Sequence, residues 1–416
     1  MLSNADDTQV KPVTAETPEW RLGIVPLAST KEVGRKINDF LVAWRKERVA
    51  KGEASADHGY ARDSFLIEAS TPRFGSGEAK GSIKQSIRGD DLYILVDICN
   101  YSIKYRINRF ENVMSPDDHF QDLKRVIGAI GTKAHRINVI MPYLYEGRVE
   151  VRTGRESLDA AHALQELMAL GVENVITFEA HDPRVQNAVP LTGFESMSPA
   201  YQFIKAILRA APDLIVDDDH LMVVSPDKNG MRRAVYLANV LGVNMGMFYK
   251  VLDYTTTVGG KHPIIDHAFL GSDVTGKDII IVDDMISSGK TVIKTARMVK
   301  AKGAKRVFIC AAFGIFTAGL EPFDEAYNEP CSGLSEEELK NAEDWQKHAF
   351  DYLITTNLVY QRPELFERPY YRGCDMSKYL ALIIDTMNHD GSLSALLDPI
   401  DRIQKVLEKH RRGEKI

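Results

Sequence analysis

The segment 276–291, GKDIIIVDDMISSGKT, constrains the fold more than any other part of the chain. Its residues 279–282 are all apolar and β-branched, which is typical of a strand buried on both faces of a parallel sheet. Two carboxylates, Asp283 and Asp284, follow this strand, and a polar loop containing a glycine leads into a helix predicted over about 290–302. The segment therefore predicts a strand–loop–helix unit of an α/β domain.

The loop 287–291 has the composition of an anion-binding site. Its amides and the N-terminus of the following helix present partial positive charge to a ligand, and Ser288 and Thr291 add hydroxyl donors. Carboxylates directly above a bound phosphate would repel it, so we expect Asp283 and Asp284 to hold sugar hydroxyls or a metal ion. The alternative is that the carboxylates cap the strand and the serines cap the helix. The first interpretation predicts a site for a phosphorylated sugar.

Length and composition predict a soluble globular protein with two domains. The chain has 416 residues, of which 44% are hydrophobic and 26% are charged, and its formal net charge is −6. This length suffices for two cores, and the negative charge gives no general attraction to nucleic acid or to an anionic membrane. No apolar stretch approaches the roughly 20 residues of a membrane span, and residues 1–20 lack the pattern of a signal peptide. We therefore expect a cytoplasmic protein.

Strands alternate with helices in both halves of the chain, which predicts two α/β domains with mostly parallel sheets. We assign residues 1–19 to a flexible N-terminal arm, residues 20–211 to the first domain and residues 212–398 to the second. Residues 399–416 are predicted to hold a C-terminal helix. The stretch 317–350 is acidic and helix-prone, so we expect it to be an insertion on the surface of the second domain.

Three other segments carry candidate functional residues. Residues 74–78, FGSGE, form a turn-rich segment with an aromatic residue and a carboxylate at its ends. His181 follows a strand predicted over 175–178, at the edge where open α/β sheets bind their ligands. Asp227 follows another predicted strand, 221–224. The turn can equally be an ordinary surface turn, and the histidine can equally be structural, hydrogen-bonded to a neighbouring loop.

Together these segments resemble the ribose-phosphate diphosphokinases, or PRPP synthetases. The segment 276–291 is similar to the ribose-5-phosphate loop that this family shares with phosphoribosyltransferases, and the resemblance extends from about residue 22 to about residue 397. The longer bacterial form of the enzyme is the most similar. The resemblance implies two phosphoribosyltransferase-like domains. It also implies transfer of the pyrophosphoryl group of ATP to the 1-hydroxyl of ribose 5-phosphate, which gives PRPP and AMP.

The resemblance also assigns roles to individual residues. Lys250, Asp283 and Asp284 match the catalytic residues of the family, and His181 and Asp227 match the residues that hold Mg²⁺. The matches to the ATP site are Phe74, Ser76, Glu78, Arg148 and His181, and those to the ribose-5-phosphate site are Asp283, Asp284, Ser287, Ser288, Gly289, Lys290 and Thr291.

The sequence departs from the family pattern in two loops. The family usually has two arginines after its catalytic lysine, where this chain has Val251 and Leu252. Its Arg-Gln-Asp or Arg-Gln-His motif in the ATP loop is replaced by Arg148-Val149-Glu150. Both changes place apolar or anionic groups beside a polyanionic substrate.

Three functions therefore stay open. The chain is an active diphosphokinase, a catalytically impaired homologue that assembles with and regulates an active synthetase, or an enzyme with the same chemistry on another ribose-5-phosphate derivative. A plain phosphoribosyltransferase would not need the segment 74–78 or His181. Because family members bind ATP across subunit contacts, the resemblance implies a homo-oligomer, commonly a hexamer built from dimers, or assembly with a paralogous synthetase.

Overall fold

The computed structural model describes residues 18–152, 154–252, 255, 264–329 and 347–416. Most of the predicted arm, 1–19, lies outside these residues. The chain folds into two compact units. Unit 1 contains the described residues of Met1–Ser198, Leu358–Tyr360 and Asp375–Asp398, and unit 2 contains those of Pro199–Asn357, Gln361–Cys374 and Pro399–Ile416. None of the described helices is long and apolar enough to span a membrane.

The secondary structure confirms the predicted alternation of strands and helices. In chain order the elements are β1 (Arg21–Pro26), α1 (Lys31–Ala50), β2 (Ala69–Ser70), β3 (Ser82–Ile83), β4 (Asp90–Leu95), β5 (Lys104–Ile107), β6 (Phe110–Val113), α2 (Pro116–Ile130), β7 (Arg136–Ile140), α3 (Asp159–Ala169), β8 (Asn174–Phe178), β9 (Gly193–Met197), α4 (Ala200–Ala210), β10 (Leu221–Ser225), α5 (Met231–Leu241), β11 (Met245–Leu252), β12 (Ile264–Leu270), β13 (Asp278–Ile286), α6 (Lys290–Ala301), β14 (Val307–Gly314), α7 (Glu321–Tyr327), β15 (Tyr352–Thr356), β16 (Tyr371–Cys374), α8 (Ser377–Asn388), α9 (Ser394–Leu397) and α10 (Ile400–Arg411). Helix α10 confirms the helix predicted within 399–416.

Unit 1 is built on a five-stranded parallel sheet with the strand order β1-β4-β7-β8-β9. The strands occur in this sheet in the same order as in the chain, so each crossover moves in one direction. Apolar side chains from β4, α2 and α3 form its core, with Leu92, Leu123 and Leu164 among the most buried. The sheet of unit 1 therefore has no reversal of strand order.

Helix α8 belongs to unit 1, although the sequence assigns it to the second domain. A network of buried polar groups explains this. The guanidinium of Arg45, on α1, lies 3.0 Å from a carboxylate oxygen of Asp385 and donates to the side chain of Asn388 at 2.7 Å. The amide of Asn388 donates in turn to Asp91 on β4 at 2.9 Å. These groups satisfy one another only if α8 packs against α1 and the first sheet.

The predicted boundary at residue 211 is also displaced. Helix α4 belongs to unit 2, because the boundary falls between Ser198 and Pro199. Its residues bond to the second sheet: the hydroxyl of Tyr352, on β15, donates to the carbonyl of Ala210 at 3.1 Å. A boundary drawn from the sequence at Pro212 therefore separates α4 from the strands that it covers.

Unit 2 is built on a seven-stranded sheet with the order β12-β11-β10-β13-β14-β15-β16, in which β12 alone among these strands is antiparallel to its neighbour. From β10 the chain moves outward to β11 on one side, and from β13 it moves outward to β14 on the other. The strand order therefore reverses between β10 and β13. Open α/β sheets bind ligands at the carboxyl ends of the strands beside such a reversal.

The prediction that 317–350 is a surface insertion is wrong for parts of this stretch. Phe323 and Ala326, on α7, and Phe350 are fully buried in the core of unit 2. The ring of Phe323 packs edge-to-face against Phe316 and Phe350, with centroid distances of 5.4 and 6.2 Å. The many charged residues between Phe323 and Phe350 made the whole stretch look polar, so the sequence analysis did not identify these aromatic residues as part of the core. The acidic segment 330–346 lies outside the described residues.

Replacing Arg45 by alanine is expected to destabilise unit 1 by about 3 kcal/mol, because a buried carboxylate loses a charged partner. Urea unfolding followed by circular dichroism measures this loss. The matched control is Lys46→Ala, since Lys46 pairs with Asp63 at the surface, and an exposed pair contributes about 0.5 kcal/mol. Equal destabilisation by the two variants would contradict the role of the buried network.

Candidate active site

Asp283 and Asp284 lie at the carboxyl end of β13, beside the reversal of strand order. The strand runs through both residues to Ile286 and is longer than predicted. Asp284 is buried and Asp283 is half-buried. The amide of Asp284 donates to Oδ1 of Asp283 at 2.9 Å, and the amide of Met285 donates to Oδ1 of Asp284 at 2.8 Å. Backbone hydrogen bonds therefore fix both carboxylates.

The two carboxylates differ in their electrostatic surroundings. Burial raises the pKa of Asp283 well above its ordinary value, and the charge and hydrogen bonding of Asp284 raise it further, while Arg233 acts in the opposite direction. Nη2 of Arg233 lies 3.2 Å from Oδ2 of Asp284. The pair is therefore suited to bind groups that relieve its repulsion, either hydrogen-bond donors or a cation.

The loop after β13 lies next to the pair and begins helix α6. Gly289 has a left-handed backbone with φ of 81°, and the first helical bond joins the amide of Ile293 to its carbonyl at 3.0 Å. The amides before Ile293 have no helical carbonyl to bond. Ser287 accepts at its carbonyl from the amide of Thr317 at 2.9 Å, which ties the loop to the segment after β14. Lys290 and Thr291 are exposed. The carboxylates and the predicted anion loop are thus brought together.

Asp227 lies in the loop that follows β10, on the other side of the reversal. Its Oδ1 accepts from the amides of Asn229 and Gly230 at 2.8 and 3.2 Å. A Cβ on Gly230 would lie 2.9 Å from Oγ of Ser225 and 3.4 Å from the carbonyl oxygen of Val282, so this loop packs against the ends of both β10 and β13. Asp227 therefore lies in the same crevice as the carboxylate pair. Among the described residues, no group of three or more histidine, cysteine, aspartate or glutamate side chains is arranged to hold a metal ion.

Arg233 is a residue of this site that the sequence analysis missed. It lies in the first turn of α5, just after the Asp227 loop, and its side chain is largely buried. The helix dipole disfavours a cation at this end of a helix. A basic residue in the first turn of a helix that follows a strand beside a ligand crevice is the signal that could have found it.

Lys250 lies on β11, where its Cα is opposite that of His267 on β12. The strand continues through Val251 to Leu252, so the backbone of all three residues is paired with β12. Their side chains lie outside the described residues, as do residues 253–254 and 256–263. The assignment of Lys250 to a catalytic loop stays a prediction.

In unit 1, the segment 74–78 forms a tight turn that exposes its aromatic residue. The amide of Phe74 donates to the carbonyl of Glu78 at 2.7 Å, and Oγ of Ser76 donates to Oε2 of Glu78 at 2.9 Å. The side chain of Phe74 is 53% exposed. Arg73 anchors the turn through a 2.6 Å ion pair with Asp122. An apolar ring held in water by an anchored turn is available to contact a ligand or another chain.

His181 follows β8 and is half-buried. Glu179 has a left-handed backbone with φ of 41°, which is uncommon outside glycine. The loop is held by Ser196, whose Oγ accepts from the amide of Ala180 at 3.0 Å, and by Ser198, which donates to Oε1 of Glu179 at 2.6 Å. The chain therefore maintains an unfavourable turn immediately before His181.

The segment 148–150 lies near the His181 loop. Hydrogen bonding to Asp182 raises the pKa of Arg184, and the charge of Glu150 raises it further. Arg148 is exposed. Oε2 of Glu150 is buried and has no hydrogen-bond partner among the described residues. Glu150 therefore adds an incompletely compensated negative charge at this edge of the first sheet.

Gly289→Ala is expected to destabilise unit 2 by roughly 1–3 kcal/mol more than Gly276→Ala. Both glycines have positive φ, 81° and 72°, so the two variants share the backbone strain. A Cβ at Gly289 would lie 2.4 Å from Cζ of Phe323, whereas a Cβ at Gly276 would have nothing within 4 Å. Urea unfolding of the two variants measures the difference, and equal losses would contradict the close packing of the loop on Phe323.

Asp283→Asn is expected to raise the melting temperature at pH 8 and to leave it almost unchanged at pH 4. The pKa of Asp283 is raised in the folded state, so its contribution to stability is present below the unfolded pKa, about 3.9, and is lost as pH rises through the folded pKa. Asparagine does not ionise and avoids this loss. Thermal melts from pH 4 to pH 8 measure the effect.

Asp273→Asn is the control for this pH series. Asp273 is exposed, and hydrogen bonds from Thr275 lower its pKa, so this variant is expected to shift stability in the opposite direction at pH 8. An effect of Asp283→Asn that does not change with pH would refute the electrostatic explanation.

Comparisons with known proteins agree with this architecture. Residues 22–171 match the N-terminal domain of ribose phosphate pyrophosphokinase, and residues 197–345 match the phosphoribosyl transferase domain. The structure is similar to that of phosphoribosylpyrophosphate synthetase from Mycobacterium smegmatis, with a TM-score of 0.66 and 19% identity over 89% of this chain and 100% of that chain. The similarity to the Mycobacterium smegmatis structure concerns the fold.

Curated relatives match this chain along most of their length. A ribose-phosphate pyrophosphokinase from Pasteurella multocida is 27% identical over 338 residues, which cover 80% of this chain and 91% of the relative. One from Vibrio parahaemolyticus is 27% identical over 341 residues, which cover 80% of this chain and 92% of the relative. From these matches and the common fold, the chain belongs to the ribose-phosphate pyrophosphokinase family.

Proposed function

We propose that the protein transfers the β,γ-pyrophosphoryl group of ATP to the 1-hydroxyl of ribose 5-phosphate, giving PRPP and AMP. The observation that carries this proposal is the juxtaposition of Asp283, Asp284 and the loop 287–291 at the reversal of strand order in unit 2. It combines acceptors for sugar hydroxyls with donors for a phosphate within one short segment. The named activity of the relatives supports the same reaction.

The loop 287–291 binds the 5-phosphate in this proposal. Amides at the start of α6 and the hydroxyls of Ser287, Ser288 and Thr291 donate to phosphate oxygens, and the exposed ammonium of Lys290 adds charge. Asp283 and Asp284 accept hydrogen bonds from ribose hydroxyls. This arrangement holds the sugar at both ends and leaves its 1-hydroxyl facing the nucleotide.

The surroundings of Asp227 fit a magnesium ion that is shared with phosphate groups. Two backbone amides hold its Oδ1, so the carboxylate is fixed in place. Magnesium usually binds one or two carboxylates together with substrate phosphates and water, which agrees with the absence of a larger acidic cluster among the described residues. On the family resemblance alone, we also propose that His181, in unit 1, is a metal-binding residue. When bound, magnesium neutralises charge on the phosphate chain.

We propose that the nucleotide is bound by residues of unit 1 that match the family. Phe74 stacks on the adenine ring, Ser76 and Glu78 contact the nucleoside, and Arg148 contacts the phosphates. The exposure of the Phe74 ring and of Arg148 supports these roles. The family resemblance further supports a cytoplasmic homo-oligomer in which such turns reach neighbouring subunits.

Pyrophosphoryl transfer depends mainly on positioning and charge neutralisation. Lys250 stabilises the charge that develops on the transferred group, and the chain lacks the two arginines that usually follow this lysine. Removing one such preorganised donor typically costs about 10²- to 10³-fold in rate. We therefore propose an enzyme that is slower than relatives with both arginines.

A second candidate function is a catalytically impaired subunit that assembles with an active synthetase. The unpartnered carboxylate oxygen of Glu150 favours it, because an anion near the nucleotide phosphates opposes their binding. The carboxylate pair and its loop are retained in this alternative, so ribose 5-phosphate would still bind. The same chemistry on another ribose-5-phosphate derivative is the remaining possibility.

The direct test is AMP release from Mg-ATP, measured by chromatography with and without ribose 5-phosphate. We expect AMP only with the sugar phosphate, and at least a 100-fold loss in Asp284→Asn, because the sugar loses a fixed acceptor. Ribose without phosphate is the substrate control. AMP release that is independent of the sugar phosphate would contradict the proposed reaction.

Leu252→Arg separates the candidates if the wild-type protein releases little AMP. A slow enzyme is expected to gain about 10-fold or more when this cation is restored beside the phosphates. No AMP from either protein, with ribose 5-phosphate still bound, would favour the impaired subunit. Co-purification with an active synthetase then tests that function, and a panel of ribose-5-phosphate derivatives tests the other acceptor.

A further inference from the structure

The first turn of α5 carries two adjacent arginines with different surroundings. Arg232 is exposed. The side chain of Arg233 is 10% exposed and lies against Asp284, whose side chain is 5% exposed, with 3.2 Å between Nη2 and Oδ2. Nη1 of Arg233 also lies 3.4 Å from the carbonyl oxygen of Asn229, which orients the guanidinium. Arg233 therefore faces the carboxylate pair, whereas its neighbour faces solvent.

The position of Arg233 does not favour helix α5 itself. A cation in the first turn interacts unfavourably with the helix dipole, and burying a guanidinium removes favourable hydration. Local rules of this kind are broken mainly at functional sites. The pairing of Arg233 with Asp284 therefore indicates a role for Arg233 in the crevice rather than in the stability of α5.

Arg233 makes the carboxylate pair unequal. Its guanidinium contacts Asp284. Backbone amides hold each carboxylate in its own orientation, so Asp283 does not take the place of Asp284 beside Arg233. Other charged groups on these elements are Asp227 and Lys228, in the loop before α5, and Lys290, at the start of α6; both lysines are exposed. Strand β14 places the neutral Ala311 opposite Asp283. Arg233 is thus a largely buried cation that forms an ion pair with one member of the pair, Asp284.

We propose that Arg233 is a positioning residue for the sugar: it holds Asp284 as a fixed, charged acceptor for a ribose hydroxyl. This inference rests on the proposed function of the crevice and goes beyond it by assigning a role to α5. Arg233 acts through Asp284 at the hydroxyl end of the site. It does not contact the 5-phosphate, which is bound by the loop 287–291.

The proposal predicts a selective loss of sugar binding in Arg233→Gln. Without Arg233, Oδ2 of Asp284 loses its charged partner, while Oδ1 keeps the amide of Met285. The carboxylate is then less fully held and its charge is uncompensated, so the dissociation constant for ribose 5-phosphate is expected to rise about 10- to 100-fold. Binding of methyl phosphate, which probes the phosphate end alone, is expected to stay within about 2-fold. Arg233→Lys keeps the charge without the planar fork and should recover part of the sugar affinity.

Calorimetry with ribose 5-phosphate and ³¹P NMR titration with methyl phosphate test this on the full chain. Arg232→Gln is the matched control, because it removes the same charge from the adjacent exposed position. Melting temperatures verify that each variant is folded. If Arg233→Gln fails to fold, Arg233→Lys carries the test, with an expected loss of ribose 5-phosphate affinity and none for methyl phosphate.

The outcomes separate this proposal from the proposed function. Wild-type protein that does not bind ribose 5-phosphate would overturn both. Wild-type binding with equal affinities in the Arg233 and Arg232 variants would overturn the role of Arg233 alone. Equal losses for ribose 5-phosphate and methyl phosphate would show instead that Arg233 contacts the phosphate, and would also overturn it.

Discussion

The crevice of unit 2 depends on the reversal of strand order between β10 and β13. Because the crossovers from these neighbouring strands leave in opposite directions, a crevice forms at their carboxyl ends. Each strand is almost entirely apolar and buried until its last residues, so polar side chains collect where the strands end. Asp227, Asp283, Asp284 and the start of α6 are placed together by this constraint. The first sheet has no such reversal, and its candidate residues lie instead on loops at its edge.

The two units obtain their integrity in different ways. Unit 2 closes its core with aromatic packing, in which Phe323 and Phe350 flank the segment 330–346. Unit 1 takes a helix from the far end of the chain and fixes it with buried charge, through Arg45 and Asp385. A buried ion pair contributes little net free energy compared with apolar packing. Its more important effect is specificity, since only one placement of α8 satisfies all of its partners.

The sequence predicts the local parts of the site well and the long-range parts poorly. The strand, the carboxylates and the loop of 276–291 are contiguous in sequence. The apolar run therefore indicates the strand, and the glycine and serines that follow indicate the loop. Strand β16 is short and contains a glycine, so its own residues do not indicate its pairing. Helix α8 follows the whole second sheet in the chain, so its neighbours in sequence do not indicate that it belongs to unit 1. Arg233 was missed for the same reason: its importance depends on Asp284, which lies about fifty residues later in the chain.

Stability alone would not preserve the carboxylate pair. Two adjacent carboxylates at a buried strand end repel each other and lose hydration, as the raised pKa of Asp283 indicates. Arg233 compensates one of them at a further cost to α5. Neutral side chains of similar size would satisfy the same backbone amides without either cost. The arrangement is explained if a bound ligand offsets this repulsion and lost hydration by donating hydrogen bonds to the carboxylates. A sugar phosphate does so with its hydroxyl groups, while its phosphate binds at the other end of the crevice.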